Sequence, residues 1–258
     1  MEERKKIEIE HYNRGVVPLL QGEQKELGSR MNFDPLNLGS YVFLRQISQD
    51  IIRGKKVLDY GCGTGLHLRW LSSVANEVVG IDLSEKSLEI AKRMVLDNNL
   101  NNVELIVMDC EKLEFPDNSF DVIFDGGTFS SLDIHVALPE LKRVLKPGGH
   151  VVGIETFGHN PFINLKRKFN KITKNRTEWA ESHILNNNGL EKIKEYFSNV
   201  DVYYFHVISW IIFPFLNFPG ANFMLKLLEG VDKFVLYLCP FLKRYSFKVV
   251  FNFSKPNI

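Results

Sequence analysis

The chain has 258 residues, a formal net charge of +1, 45% apolar residues and three cysteines. That length suits one α/β domain with elaborations and a substantial core, and the near-neutral charge balance supplies no overall basic field for nucleic acid. Cys62, Cys110 and Cys239 lie far apart, with neither metal-ligand spacing nor an even count for a disulfide framework, so a reducing, cytoplasmic setting is expected.

The start, Met1 to Lys6, is charged and no apolar run follows it, so it does not read as a signal peptide. Residues 1–50 read as a mixed, partly helical cap that includes His11 and Tyr12, with glycines and prolines punctuating 15–39. From Val57 strands and helices alternate. The first strand ends at Asp59, and Gly61-x-Gly63-x-Gly65 then makes a tight turn into a helix over about 66–74. Glycine belongs in such a turn because the backbone takes positive φ and because a Cβ would block a ligand's approach.

A second strand, 77–82, ends at Asp82 and is followed by Ser84 as helix cap, with Leu88, Ala91 and Val95 on one helical face. Strands three (103–108), four (120–124) and five (150–155) follow, with a helix over 135–145 between the last two. Near-continuous apolar strands alternating with helices predict a parallel sheet covered on both faces. Acids stand at the strand ends: Asp59, Asp82, Asp109, Asp125 and Glu155. Ligands of such sheets bind there.

The glycine spacing departs from the dinucleotide fingerprint, since Leu66 stands where its third glycine belongs. The stretch 57–65, with Asp59 before the glycines, resembles motif I of the class I S-adenosylmethionine-dependent methyltransferases. Two further segments resemble the ubiquinone-type subgroup: Glu114 to Ile123, with its Pro116-Asp117-Asn118-Ser119-Phe120-Asp121 core, and Arg143-Val144-Leu145-Lys146-Pro147-Gly148-Gly149. The resemblance covers about residues 55–156. It implies a Rossmann-like seven-stranded, mostly parallel sheet with helices on both faces, an antiparallel last strand and a helical insertion before it. It divides one domain, 1–258, into an N-terminal cap (1–50), a cofactor-binding core (51–156) and an acceptor-side region (157–258).

It also implies site roles. Asp82 would accept hydrogen bonds from both ribose hydroxyls, Leu83 would lie against adenine, and Asp109 with Cys110 would meet its amino edge. Gly61, Gly63 and Gly65 would line the methionine portion, with Asp59 holding the loop or the ammonium. Asp125 and Gly126 would border the sulfonium, and Tyr12 would touch the methionine end unless it is only a packing residue. Relatives often carry His-His-Leu after strand four, where this chain has Ser130-Ser131-Leu132 with His135 shortly after, as a displaced base or a surface residue.

Beyond strand five, Glu155 and Gly158-His159-Asn160-Pro161, with a later Arg176-Thr177 and His183, resemble a branch of the same family. Glu155, His159 and His183 are candidates for a base with its orienting carboxylate; a structural network and a metal set are the alternatives. A basic run, 166–176 (Lys166, Arg167, Lys168, Lys171, Lys174 and Arg176), suits phosphates or a membrane surface, or a solvated helix face.

A helix over 191–197 and strand six over 200–207 precede an apolar insertion at about 208–245, and strand seven covers 246–253. Residues 207–225 carry no charge, but Pro214, Pro219 and Gly220 break any span, so two short amphipathic helices are expected, roofing the acceptor or dipping into a membrane interface, with ordinary packing as a lid the plainer alternative. The reading is a cytoplasmic enzyme, with peripheral membrane contact open. It would transfer methyl from S-adenosylmethionine to an oxygen of a small-molecule or lipid-like acceptor, with no nucleic acid and no metal. A non-catalytic S-adenosylmethionine-binding protein of the same fold is the alternative, and a nicotinamide-dependent dehydrogenase a distant third. Nothing in the sequence sets an oligomeric state.

Overall fold

The computed structural model describes residues 2–20, 34–161, 164 and 177–255, and its strands form one seven-stranded sheet. The strands are β1 (Lys56–Tyr60), β2 (Glu77–Asp82), β3 (Val103–Val107), β4 (Phe120–Asp125), β5 (Leu145–Thr156), β6 (Asn199–Phe205) and β7 (Lys248–Ser254), in the order β3-β2-β1-β4-β5-β7-β6. The pairs among β1 to β5 are parallel, and β7 runs antiparallel to both β5 and β6. The helices are α1 (Glu3–Leu20), α2 (Gly39–Ile52), α3 (Leu68–Val74), α4 (Glu85–Asp97), α5 (Ile134–Val144), α6 (Glu178–Ser182), α7 (Asn187–Lys194) and α8 (Ala221–Leu238).

Side-chain alternation splits the strands between two cores. Leu58, Ile123, Val151 and Phe251 pack with Leu138 and Leu141 of α5 and with Ile193 of α7. Val57, Val122, Val152 and Val250 pack with Leu44 of α2, Leu68 and Leu71 of α3 and Ala91 of α4 on the other face. The central strands are thus covered on both sides, as their unbroken apolar runs require, while the edge strands β3 and β6 keep exposed positions. Ser84 caps α4 by accepting the Ser87 N–H.

The strand order reverses between β1 and β4, so the crevice of this fold opens above their carboxyl ends. Helix α1 packs beside α4, and its polar side chains reach over that crevice. The basic run at 166–176 lies outside the described residues.

Three boundaries differ from expectation. β5 starts at Leu145, with a register shift against β4 between Phe120 and Val122 that lets the Pro147-Gly148-Gly149 turn belong to the strand. Helix α7 starts at Asn187 because the Asn186 side chain caps it by accepting the Gly189 N–H. The insertion forms one long helix, α8, between two 3-10 segments (Ser209–Phe215 and Pro240–Tyr245) instead of two short helices. Pro214 and Pro219 confine the break to its first half. Among the described residues no helix is long and apolar enough to cross a membrane.

Candidate active site

Asp59 closes β1 and points into a cavity of about 440 Å³ above the strand ends, within the range of about 300–1,000 Å³ usual for small-molecule sites. After it, Gly61 and Gly63 take φ of 71° and 53°. A Cβ on Gly61 would stand 2.3 Å from the Thr128 hydroxyl, which itself donates to the Tyr60 carbonyl at 2.9 Å. A Cβ on Gly63 would meet no protein atom within 4 Å, although Gly63 lines the cavity, so that space is left for a ligand.

Asp82 at the end of β2 fixes this turn. Its two carboxylate oxygens accept the Gly63 N–H at 2.9 Å and the Ser84 N–H at 2.8 Å. Burial raises its carboxyl while the N–H groups of Ser84, Gly63 and Leu83 oppose the shift. Asp59 has less help: Oδ2 is buried without a hydrogen-bond partner. Burial, with the Asp82 charge beside it, pushes its carboxyl up to about 8. A buried, unpartnered carboxylate on a cavity wall suits a cationic ligand.

Of the residues expected to hold cofactor, Asp59, Gly61, Gly63, Asp82 and Leu83 line the cavity, as do Asp109, Cys110, Gly126 and Tyr12. The Tyr12 hydroxyl lies 3.0 Å from the Ser131 hydroxyl. Two expected residues are elsewhere. Gly65, at φ 88°, packs against α4, where a Cβ would come within 2.7 Å of the Met94 methyl, so it serves the packing of helices behind the turn. Asp125 is wholly buried and accepts the Thr128 N–H at 2.9 Å, so it shapes the turn after β4 from behind. Burial and the neighbouring Glu155 carboxylate raise its carboxyl well above the ordinary range.

The three expected base residues do not share this cavity; among the described residues that line it, none is Glu155, His159 or His183. Glu155 is buried at the end of β5 and accepts the Phe129 and Thr156 N–H groups at 2.6 and 3.1 Å. His159 packs edge-on to Phe157 and accepts the Asn187 N–H at 3.2 Å. His183 stacks on Trp179 at 3.6 Å between ring centres, and with His135 lines a second cavity of about 390 Å³. Leu132 borders both cavities. No group of three or more His, Cys, Asp or Glu among the described residues is placed to hold a metal.

Two imidazoles line the cofactor cavity, that of His11 on α1 and that of His67, just before α3; His67 is the one buried among α2, β4 and the turn after β4. It stacks on Tyr41 at 5.9 Å and meets the edge of Phe124 at 5.0 Å. Gly126 makes room for it, since a Cβ there would lie 2.9 Å from its Cδ2. Burial, with the positive charges of Arg45 and Lys248, lowers its pKa to about 4, so it stands neutral at physiological pH. Nothing in the local sequence marks His67; its surroundings come from α2, β4 and the turn after β4.

Helix α1 supplies residues that the sequence leaves unassigned. Lys5 pairs with Asp109 at 2.6 Å and with Glu111 at 2.8 Å, and Arg4 pairs with Glu111 at 2.6 Å. Burial would raise the Glu111 carboxyl, but hydrogen bonds from Arg4 and Lys5 hold it below its ordinary value. Asn13 meets the Ser84 hydroxyl at 2.8 Å, and Glu8 is hydrogen-bonded to Thr177. These contacts strap α1 across Asp109 and Glu111.

Comparison with known proteins agrees with this geometry. Residues 58–153 match the methyltransferase domain family. The demethylmenaquinone methyltransferase of Staphylococcus aureus (strain MRSA252) is 35% identical over 181 residues, covering 62% of this chain and 73% of that protein. A S-adenosylmethionine-dependent methyltransferase structure from Aquifex aeolicus aligns with TM-score 0.50 and 25% identity, over 66% of this chain and 85% of that one. The Haemonchus contortus phosphoethanolamine N-methyltransferase 2 complex with S-adenosyl-L-methionine shares the fold, with TM-score 0.61 and 22% identity over 87% of this chain and 54% of that one. Strand order, glycine turn and sequence similarity therefore converge, and the chain belongs to the class I S-adenosylmethionine-dependent methyltransferases.

Proposed function

We propose that this methyltransferase methylates a hydroxyl oxygen of a small, apolar, lipid- or quinone-like acceptor. The observation that carries the reading is the neutral His67 imidazole on the wall of the cofactor cavity, beside Gly126.

S-adenosylmethionine, when bound, supplies a methyl carbon already activated by its sulfonium. The chain's own groups bind, align and accept a proton. Asp59 meets the ammonium: its Oδ2 has no partner in the protein, and a bound cation favours the ionised form of a carboxyl that burial otherwise keeps protonated. Asp82 accepts from the ribose hydroxyls with lone pairs left beside its two N–H partners. Leu83 lies against adenine, and the strap from Lys5 to Asp109 sets the adenine edge with Cys110. His67 takes the hydroxyl proton at a ring nitrogen as the oxygen acts as nucleophile, then releases it to solvent. Its low pKa makes it a weak base in the resting state, so it suits an acidic, phenol-like hydroxyl better than an alcohol.

Similarity to a protein named for demethylmenaquinone favours a quinone-like body for the acceptor, and a second reading, methylation at a ring carbon. The test incubates the pure enzyme with methyl-labelled S-adenosylmethionine and cell extract, then divides the products between organic and aqueous phases. Label in the organic phase, released from the product by hydriodic acid as methyl iodide, is the expected result. Label that resists this cleavage favours the carbon reading. Label confined to water, or full activity in His67→Ala, overturns the proposal.

A further inference from the structure

Helix α8 is built inside out. Its two acids face the protein: Asp232, only 4% exposed, accepts the Ile208 and Ser209 N–H groups at 2.7 and 3.2 Å and the Ser209 hydroxyl at 2.6 Å. Glu229 accepts the Gly39 N–H at 2.8 Å. The opposite face carries Phe223, Leu227, Val231, Phe234 and Leu238, spaced three or four residues apart so that they form one stripe. All five are exposed, Phe223 to 74% and Phe234 to 63%. Tyr237 at the stripe's margin is 82% exposed.

A soluble helix turns such a stripe toward the core. Here the inward positions are taken by Ala221, Leu225 and Asp232, which anchor α8 to Leu216 and Leu38 and to the start of the insertion. The stripe is therefore left for something outside the chain, and a contiguous exposed apolar surface of this kind marks an interaction site.

The charges identify the occupant. Lys226 and Lys233 flank the stripe on one side, and Lys243 and Arg244 follow in the adjoining 3-10 segment; all four are exposed. Both acids of the insertion are turned inward, so the outward face is apolar and wholly cationic. That combination fits an interface in which aromatic side chains enter the acyl boundary and lysines meet anionic head groups. It also fits a helix that lies on a membrane, since no described helix is suited to cross one.

We propose that the outward face of α8 docks on an anionic lipid bilayer surface. Because β6 runs parallel to β5, its end at Phe205 lies on the same sheet edge as the cofactor cavity. The insertion reaches that cavity through Tyr41, which packs with the Leu38–Leu216–Leu225 cluster and stacks on His67. Docking thus brings the membrane to the edge where an apolar acceptor must enter. The inference goes beyond the methyl-transfer reading and does not need turnover, so either can fail alone.

The test floats the full chain with vesicles of phosphatidylcholine alone or with phosphatidylglycerol added. Binding to the anionic vesicles, weakened by salt, is expected. Lys226→Glu with Lys233→Glu is expected to weaken it about tenfold or more, and Phe223→Ser with Phe234→Ser by at least about tenfold. Each variant is checked for unchanged Tm and cofactor affinity. No flotation with anionic vesicles, or equal binding by the serine variant, overturns the proposal. So does a concentration-dependent dimer that the serine variant converts to monomer, which assigns the face to a second copy of the chain.

Discussion

The carboxyl edge of the sheet carries two surfaces built on opposite rules. Above β1 and β2, carboxylates and the glycine turn line a cavity, while Leu58 and Ile81 behind them fill the core. On α8 the carboxylates face inward and the phenylalanines outward. The first arrangement suits a small charged molecule, for which polar groups must be fixed on short, rigid turns. The second uses its acids to satisfy N–H donors at Ile208, Ser209 and Gly39, and leaves its apolar area unspent.

Two histidines restate the contrast. His67 and His206 are both buried with strongly lowered pKa, to about 4 and about 3. His67 lines the cofactor cavity, whereas both ring nitrogens of His206 are engaged, with the Ser209 and Ser40 hydroxyls at 2.9 Å each. Replacing His67 with alanine is therefore expected to lower kcat by about 10²–10⁴-fold. The pH profile sharpens this: a base with pKa near 4 keeps the wild-type rate flat from pH 7.5 down to about 5. An acid limb with apparent pKa near 6.5 would remove His67 from the chemistry.

Asp82→Ala is next in size. It strips the acceptor from Gly63 and Ser84 and the expected acceptor from the ribose, a loss of at least two charge-assisted hydrogen bonds. At about 1.5–3 kcal/mol each, cofactor Kd should rise about 10²-fold or more by calorimetry. A change below tenfold would mean that the glycine turn holds its shape without β2. His206→Ala should do the reverse of His67→Ala. It leaves kcat intact in the folded enzyme but costs about 1–3 kcal/mol in denaturant unfolding, because the Ser40 hydroxyl loses its buried partner. Both histidines remain neutral in the fold, so their contribution to stability is complete above about pH 6.5 and is lost as pH drops toward 4 and 3.

Legibility in the sequence followed the same division. The strands and the acids at their ends could be read because apolar runs, glycine spacing and turn chemistry are local signals. Asp59 and Asp82 are legible by that route as acids at strand ends, and both line the cavity. Gly65 shares the spacing of Gly61 and Gly63, and the family resemblance sets it at the ligand, yet in the fold it packs against Met94. His67 carries no local signal, because its environment is assembled from Tyr41, Phe124 and Gly126. Lys5 reaches Asp109 across 104 residues. The orientation of α8 was hidden for another reason. Its sequence is apolar around much of the helix, so periodicity does not say which side faces the protein; Asp232, bound to N–H groups 23 and 24 residues earlier, decides it.

The smallest expected effect separates a carboxylate built for folding from one built for a ligand. Asp59 titrates near 3.8 in the unfolded chain and near 8 in the fold. Between those values the unfolded chain binds fewer protons, so stability falls as pH rises through the window. Asp59→Asn carries no such penalty. The free variant should match the wild type near pH 4 and exceed it at pH 8 by about 1–3 kcal/mol, the cost of an unsatisfied buried polar group. Adding S-adenosylmethionine should narrow or reverse the order, because a bound cation compensates Asp59 and ligand stabilises only in proportion to its affinity. Scanning calorimetry at pH 8 with and without cofactor reads both effects. Equal cofactor-induced Tm shifts in the two proteins would make Asp59 a residue of the turn alone, and would erase the contrast between acids that face a ligand and those that, like Asp232, face the chain.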